Sequence, residues 1–169
     1  MSSTTPLQQD PNGSPAVFQA IRDWLEREGV AFRHVHHEPT RTSEESARAR
    51  GEDLRIGGKA LLMKVGESFK LFILSAALKL DSAAIKSHFG VGRMRFARPQ
   101  ELRDLSGLVP GSVPPFGAPI PPFDLFVDES ILENEKIAFN AGLLTDSVIM
   151  PVADYVRIAK PAVLRFGAR

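Results

Sequence analysis

Lys59–Val65, KALLMKV, and Phe69–Ser75, FKLFILS, stand on either side of Gly66-Glu67-Ser68. Two runs of this length, each nearly continuous in apolar residues and separated by a short turn carrying glycine, predict a β-hairpin. Continuous rather than alternating apolarity further predicts strands covered on both faces, and so a central place in a sheet.

Working outward, helices and strands interleave around this hairpin. On its N-terminal side, Ser14 is placed to cap a helix opened by Pro15, and Val17, Ile21, Trp24 and Leu25 follow at helical spacing up to Gly29. Residues 31–36 read as a short strand, and Thr42 or Ser43 as the cap of a second helix that stops near Gly51. On the C-terminal side, Asp81 or Ser82 caps a helix whose Ala84, Ile85 and Phe89 face inward until Gly90, and RMRFA (93–97) is a strand. Pro99 opens another helix that closes at Gly107. DLFVDES (124–130), KIAFNAG (136–142), SVIMPV (147–152) and AVLRF (162–166) read as strands, with a short helix over 154–159. The whole predicts a mixed α/β (α+β) fold with mainly antiparallel pairing. Residues 1–13, rich in Ser, Thr, Gln, Pro and Gly, are expected as a flexible tail, leaving one domain over 14–169.

Composition narrows the chemistry. At 169 residues the chain can bury a core without disulfides or metals, and 43% hydrophobic with 24% charged residues is ordinary for a globular domain. The absence of cysteine removes disulfides, a thiol nucleophile and Cys-ligated zinc or iron–sulfur centres. A net charge of +1 means that any contact with nucleic acid has to be local. The first residues carry no secretory pattern and no apolar run reaches membrane-spanning length, so the expectation is a cytoplasmic protein without a membrane contact.

The common catalytic signatures are missing: there is no GxSxG elbow, Walker A loop, HExxH or Asp-rich metal loop. His34, His36 and His37 cluster, but no carboxylate constellation accompanies them, so no metal is expected. Glu38, Glu44 and Glu45 are better explained as partners of a helix dipole than as general bases. Three candidates are left. Lys59 follows Gly57-Gly58 and opens an apolar strand, where its ammonium either lines a concavity or reaches solvent. Val109–Pro122, VPGSVPPFGAPIPP, is too rich in proline for helix or central strand; its Gly111–Gly117 portion can bring backbone N–H groups against an oxyanion, or can be a rigid turn with Phe116 as a core plug. Phe139-Asn140-Ala141-Gly142 either lines a pocket at a strand end or forms a turn.

Taken in order, the helix from residue 15, HHEPTRTSEESA, GGKALLMK, GLVPGSVPPFG, FVDESILE and IAFNAG resemble the YbaK / prolyl-tRNA synthetase-associated editing-domain family, over nearly all of residues 15–166. The resemblance implies a partly barrel-like mixed sheet surrounded by helices, with a cleft between a lysine and a glycine loop. It implies an aminoacyl-tRNA deacylase that removes a small amino acid from a mischarged tRNA, with no protein nucleophile and no cofactor. Lys59 looks like the family's functional lysine, and Gly111, Ser112 and Val113 like the loop that holds the acyl oxygen. Phe32, Leu61, Phe116, Gly117, Phe139, Asn140 and Gly142 complete the expected substrate site, whose aromatic walls imply a small or medium apolar amino acid. The implied partners are the 3′ acceptor end of tRNA and prolyl-tRNA synthetase or another synthetase. Pro114-Pro115 and Asn140-Ala141-Gly142 depart from the alanine-specific branch, which carries Thr-Pro and His-Pro segments, and Asn140 and Gly142 resemble the Ser/Gly segment of the cysteine-handling branch. The alternative is a non-catalytic module that binds the tRNA 3′ end or a nucleotide. A duplex-DNA role predicts a basic groove-reading element that the sequence does not contain.

Overall fold

The computed structural model describes residues 9–169. The hairpin forms as predicted: β2 (Gly58–Val65) and β3 (Ser68–Ser75) pair antiparallel from Gly58 opposite Ser75 to Val65 opposite Ser68. Strand β5 (Met94–Phe96) joins the free edge of β2, while β6 (Asp124–Asp128) and β9 (Ala162–Leu164) add in parallel beyond β3. The sheet order is thus β5-β2-β3-β6-β9. A second sheet, β1 (Arg33–His36), β8 (Asp146–Pro151) and β7 (Lys136–Leu143), is antiparallel throughout. The two sheets do not close into a barrel; a parallel bridge from Gly57 to Ala138 links them. A short ladder of β4 (Lys79–Leu80) and β10 (Gly167–Ala168) was not foreseen, because two-residue strands leave no periodic signal.

The two faces of the hairpin explain its continuous apolarity. Leu62, Leu71 and Ile73 enter the larger core, shared with α1 (Pro15–Arg27), α6 (Val152–Ala159) and the second sheet. Met63, Val65, Phe72 and Leu74 enter a smaller core on the opposite face, closed by α3 (Ser82–Phe89) and Phe166. Alternate residues of one strand therefore serve different cores, as a two-faced central strand requires.

The helix caps are those expected of their side chains. Ser14 accepts from the Val17 N–H, Thr42 caps α2 (Ser43–Arg50), and Asp81 caps α3. The helix α4 (Pro99–Ser106) begins at its proline. The predicted strand 124–130 stops at Asp128, because that side chain caps a short helix, α5 (Glu129–Leu132), and also accepts from the Phe166 and Gly167 N–H groups. Of the tail expected over 1–13, residues 1–8 lie outside the described residues. Residues 10–13 are held to the fold: Arg103 donates to the carbonyls of Asp10 and Gly13, and Asn12 accepts from Leu144 N–H.

Candidate active site

A cavity of about 210 Å³ opens where the start of β2, the entry to α2 and the proline-rich loop meet. Its volume is below the roughly 300–1,000 Å³ of pockets that enclose drug-sized ligands, so it suits a small group. Lys59, Leu61, Gly111, Val113 and Asn140 line it, which brings together residues that the sequence spreads over 82 positions. Thr40, Ser46 and Arg50 form its polar part, and Arg41, Thr42 and Ser43 lie along it at the start of α2. Among the described residues, the lining contains the cations Arg41, Arg50 and Lys59 and no carboxylate.

The loop's geometry follows from its sequence. Val109-Pro110-Gly111-Ser112 is a tight turn closed by the Ser112 N–H to Val109 O bond, with proline in its second position and glycine, at φ +89°, in its third. This is the type II pattern, in which the third residue needs a positive φ that glycine adopts without penalty. Ser112 is buried and its hydroxyl is consumed locally, accepting from Val109 N–H and donating to Val109 O. Ser112, expected at the reacting centre, is instead the clasp of the turn. The N–H groups of Gly111 and Val113 have no hydrogen-bond acceptor among the described residues.

Asn140 ties the loop to the opposite side of the cavity. Its Nδ2 donates to Gly111 O at 2.9 Å, and its Oδ1 accepts from Ser147 Oγ and from Arg50 Nη2 at 3.0 and 3.1 Å. Arg50 Nε also donates to Ser147 Oγ at 2.8 Å. Ser46 donates to Thr40 Oγ1, so the polar floor is a connected network. Lys59 sits at the strand start, half-buried, and donates to Leu78 O at 2.9 Å. Burial pulls its pKa below the ordinary lysine value, and the Glu44 carboxylate partly opposes this.

Several residues expected here are placed elsewhere. Phe116 and Phe139 are fully buried and pack edge to face with each other, and Phe116 also meets Trp24 and Tyr155. They build the core beneath the loop and are not cavity walls. Phe32 lines a separate shallow depression with Glu52, Lys136 and Pro151. Gly117 is a packing glycine, since a Cβ there would stand 2.8 Å from Leu125 Cβ. Gly142, at φ +93°, lies at an irregularity of β7 where a Cβ would meet α1. The expected apolar walls reduce to Leu61, Val113 and small residues, and the floor is polar. Arg50, Thr40 and Ser46 give no signal in the sequence: SEESARAR reads as an exposed helix by hydropathy, and only the tertiary fold turns Ser46 and Arg50 inward.

The clustered histidines hydrogen-bond to the start of β8. His34 Nε2 and His36 Nδ1 converge on Asp146 Oδ1 at 2.8 and 3.0 Å, and His37 Nε2 lies 2.8 Å from Ser147 Oγ. No group of three or more His, Asp or Glu side chains suited to a metal occurs among the described residues.

Mixed sheets wrapped by helices thus carry a small cavity with Lys59 on one side and the Gly111 turn on the other. The sequence pattern of the aminoacyl-tRNA editing domain matches residues 37–158, and the chain belongs to that family. It is 40% identical over 147 residues to the multifunctional Ser/Thr-tRNA deacylase ProXp-y of Escherichia coli (strain K12), covering 84% of this chain and 87% of that protein. It is 26% identical over 108 residues to the proline–tRNA ligase of Macrococcus caseolyticus (strain JCSC5402), covering 64% of this chain and 19% of the ligase. A crystal structure described as a candidate trans-editing enzyme for prolyl-tRNA synthetase superposes with a TM-score of 0.78 at 25% identity, over 92% of this chain and 99% of that one. The protein is an aminoacyl-tRNA deacylase, a hydrolase of the ester in mischarged tRNA.

Proposed function

We propose that this chain removes serine or threonine from mischarged tRNA. The observation that carries the reading is the cavity floor: Thr40 Oγ1 accepts from Ser46 and Asn140 and keeps its own O–H to donate, and Ser46 Oγ keeps an acceptor site, within a space sized for a small side chain. A site that hydrogen-bonds a substrate hydroxyl discriminates strongly against an analogue without one, because its own buried polar groups are then left unpaired. The name of the Escherichia coli relative supports the same amino acids.

In this mechanism the Gly111 and Val113 N–H groups polarise the acyl carbonyl, and Lys59 anchors the 3′ end of the tRNA. Ester hydrolysis gains most from charge stabilisation at the oxyanion and from a placed nucleophile. Water is that nucleophile, and the terminal ribose hydroxyl orients it. Arg41, exposed beside the cavity, extends the cationic surface toward the acceptor-end phosphates. The likeness to part of a prolyl-tRNA ligase supports tRNA-Pro, or a related tRNA, as carrier and a synthetase as functional partner.

The test is a deacylation panel: tRNA carrying Ser, Thr, Ala, Cys or Pro, with the native chain and with Lys59→Ala. Hydrolysis of the Ser and Thr esters, with kcat/KM reduced about tenfold or more in the variant, is the expected result for loss of one charged contact that anchors the substrate. Hydrolysis of the Ala ester in preference to Ser would overturn the specificity assignment.

A further inference from the structure

Arg50, the last residue of α2, is 8% exposed. A buried guanidinium is normally paired with a carboxylate, because an uncompensated charge is costly away from water. Among the described residues no Asp or Glu pairs with it; its partners are the neutral Ser147 Oγ and Asn140 Oδ1. Burial lowers its pKa to about 10, which still leaves it cationic at neutral pH. A guanidinium carries five N–H donors. The two bonds are made by Nε and Nη2, and Nη1 donates to nothing among the described residues. Nη1 lies next to Gly57, where a Cβ would stand 3.7 Å from it, and Gly57 is itself part of the cavity wall.

The substrate ester is neutral at its carbonyl. During hydrolysis water adds its oxygen to the acyl carbon, and the bond from that carbon to the ribose oxygen breaks. One water proton passes to the ribose oxygen, the other to solvent, and the amino acid leaves as a carboxylate. Negative charge therefore appears in the cavity only as the reaction proceeds. A cation left uncompensated in the free enzyme gains most from the state in which that charge exists.

We propose that Arg50 forms an anion seat in the cavity floor that receives the carboxylate of the released amino acid. The inference rests on the deacylase reading of the cavity. It makes the free amino acid a ligand of the enzyme, and its carboxylate the group that Arg50 recognises. The side-chain hydroxyl is left to Thr40 and Ser46.

The experiment titrates the ¹⁵N-labelled full chain with L-serine and, separately, with L-serinamide, which keeps the side chain and amine but replaces the carboxylate by a neutral amide. The arginine side-chain N–H resonances are followed, with that of Arg50 assigned by its loss in Arg50→Lys. Serine is expected to shift the Arg50 signal and serinamide to leave it. In Arg50→Gln, serine binding is expected to weaken about tenfold or more, the scale of one lost hydrogen bond to a charged group. An equal response to both ligands, or no response of Arg50 to serine, overturns the proposal; the native-chain titration decides this even if Arg50→Gln does not fold. Deacylation of Ser-tRNA without an Arg50 response refutes the seat alone. An Arg50 response without deacylation of any mischarged tRNA refutes the deacylase reading and leaves the seat.

Discussion

The Asn140 side chain donates to the carbonyl of Gly111 at 2.9 Å, across 29 positions of sequence. Because Asn140 Oδ1 is held by Ser147 and Arg50, and Nδ2 by Gly111 O and Thr40 Oγ1, the amide cannot rotate without breaking four hydrogen bonds. Asn140 therefore sets the position of the peptide whose neighbouring N–H groups face no acceptor. Replacing it with alanine frees the loop while removing no group from the Gly111 or Val113 backbone. We expect Asn140→Ala to lower kcat by up to about 100-fold, the scale of a misplacement near 1 Å, with a smaller change in KM. Single-turnover deacylation of Ser-tRNA measures this, and an unchanged rate would show that the turn holds its shape unaided.

The turn itself limits substitution at Gly111. An alanine there would be forced to φ +89° and would bring its Cβ to 3.1 Å from Leu144 Cδ2. The left-handed conformation alone costs roughly 1–2 kcal/mol for a residue with a Cβ. Gly111→Ala should lower folding stability by an amount of that order, read from the urea midpoint, and reduce deacylation further than the stability loss explains. A variant with full activity would mean that the Gly111 peptide does not touch substrate.

Beneath the loop, the Tyr155 hydroxyl donates to Pro115 O at 2.5 Å from a fully buried position, and burial pushes its phenol pKa far up. Tyr155→Phe keeps the ring packing against Phe116 and leaves a buried carbonyl without its donor. The expected loss is about 1–3 kcal/mol of folding stability, read by urea denaturation. Because Pro115 belongs to the same loop as Gly111, activity should fall too, whereas a surface substitution such as Leu132→Ser should leave it unchanged.

How much of this was legible in the sequence depends on the range of the interaction. Helix starts at Ser14, Thr42, Asp81 and Pro99 are decided by hydrogen bonds within three residues, and the hairpin by its own turn and apolarity, so local reading succeeds. Lys59, Gly111 and Asn140 are legible because nearby glycines mark close backbone approach. Phe116 and Phe139 were misplaced for a physical reason: an aromatic side chain beside a binding loop is as fit to support it from below as to line it. Arg50 and Ser46 were invisible because an arginine in a polar helix is ordinarily exposed, and what turns it inward is a β7–β8 hairpin about 90 residues away in sequence.

The acid limb of stability provides a last test, at Asp146. Its burial alone would raise the carboxyl pKa, but hydrogen bonds from Thr145, His34 and His36 outweigh this and hold it below the ordinary 3.8. A carboxylate with a depressed folded pKa binds fewer protons folded than unfolded, so its stabilisation is fully present above the unfolded value and is lost as pH falls through the folded one. Folding stability should therefore drop as pH descends below about 4. In Asp146→Asn the amide cannot titrate, and that part of the slope should disappear while stability at pH 7 is lower. Urea midpoints of both proteins between pH 7 and pH 3 measure the difference. Parallel curves would show that β1 and β8 are held by their ladder alone, with no contribution from the ionised carboxylate.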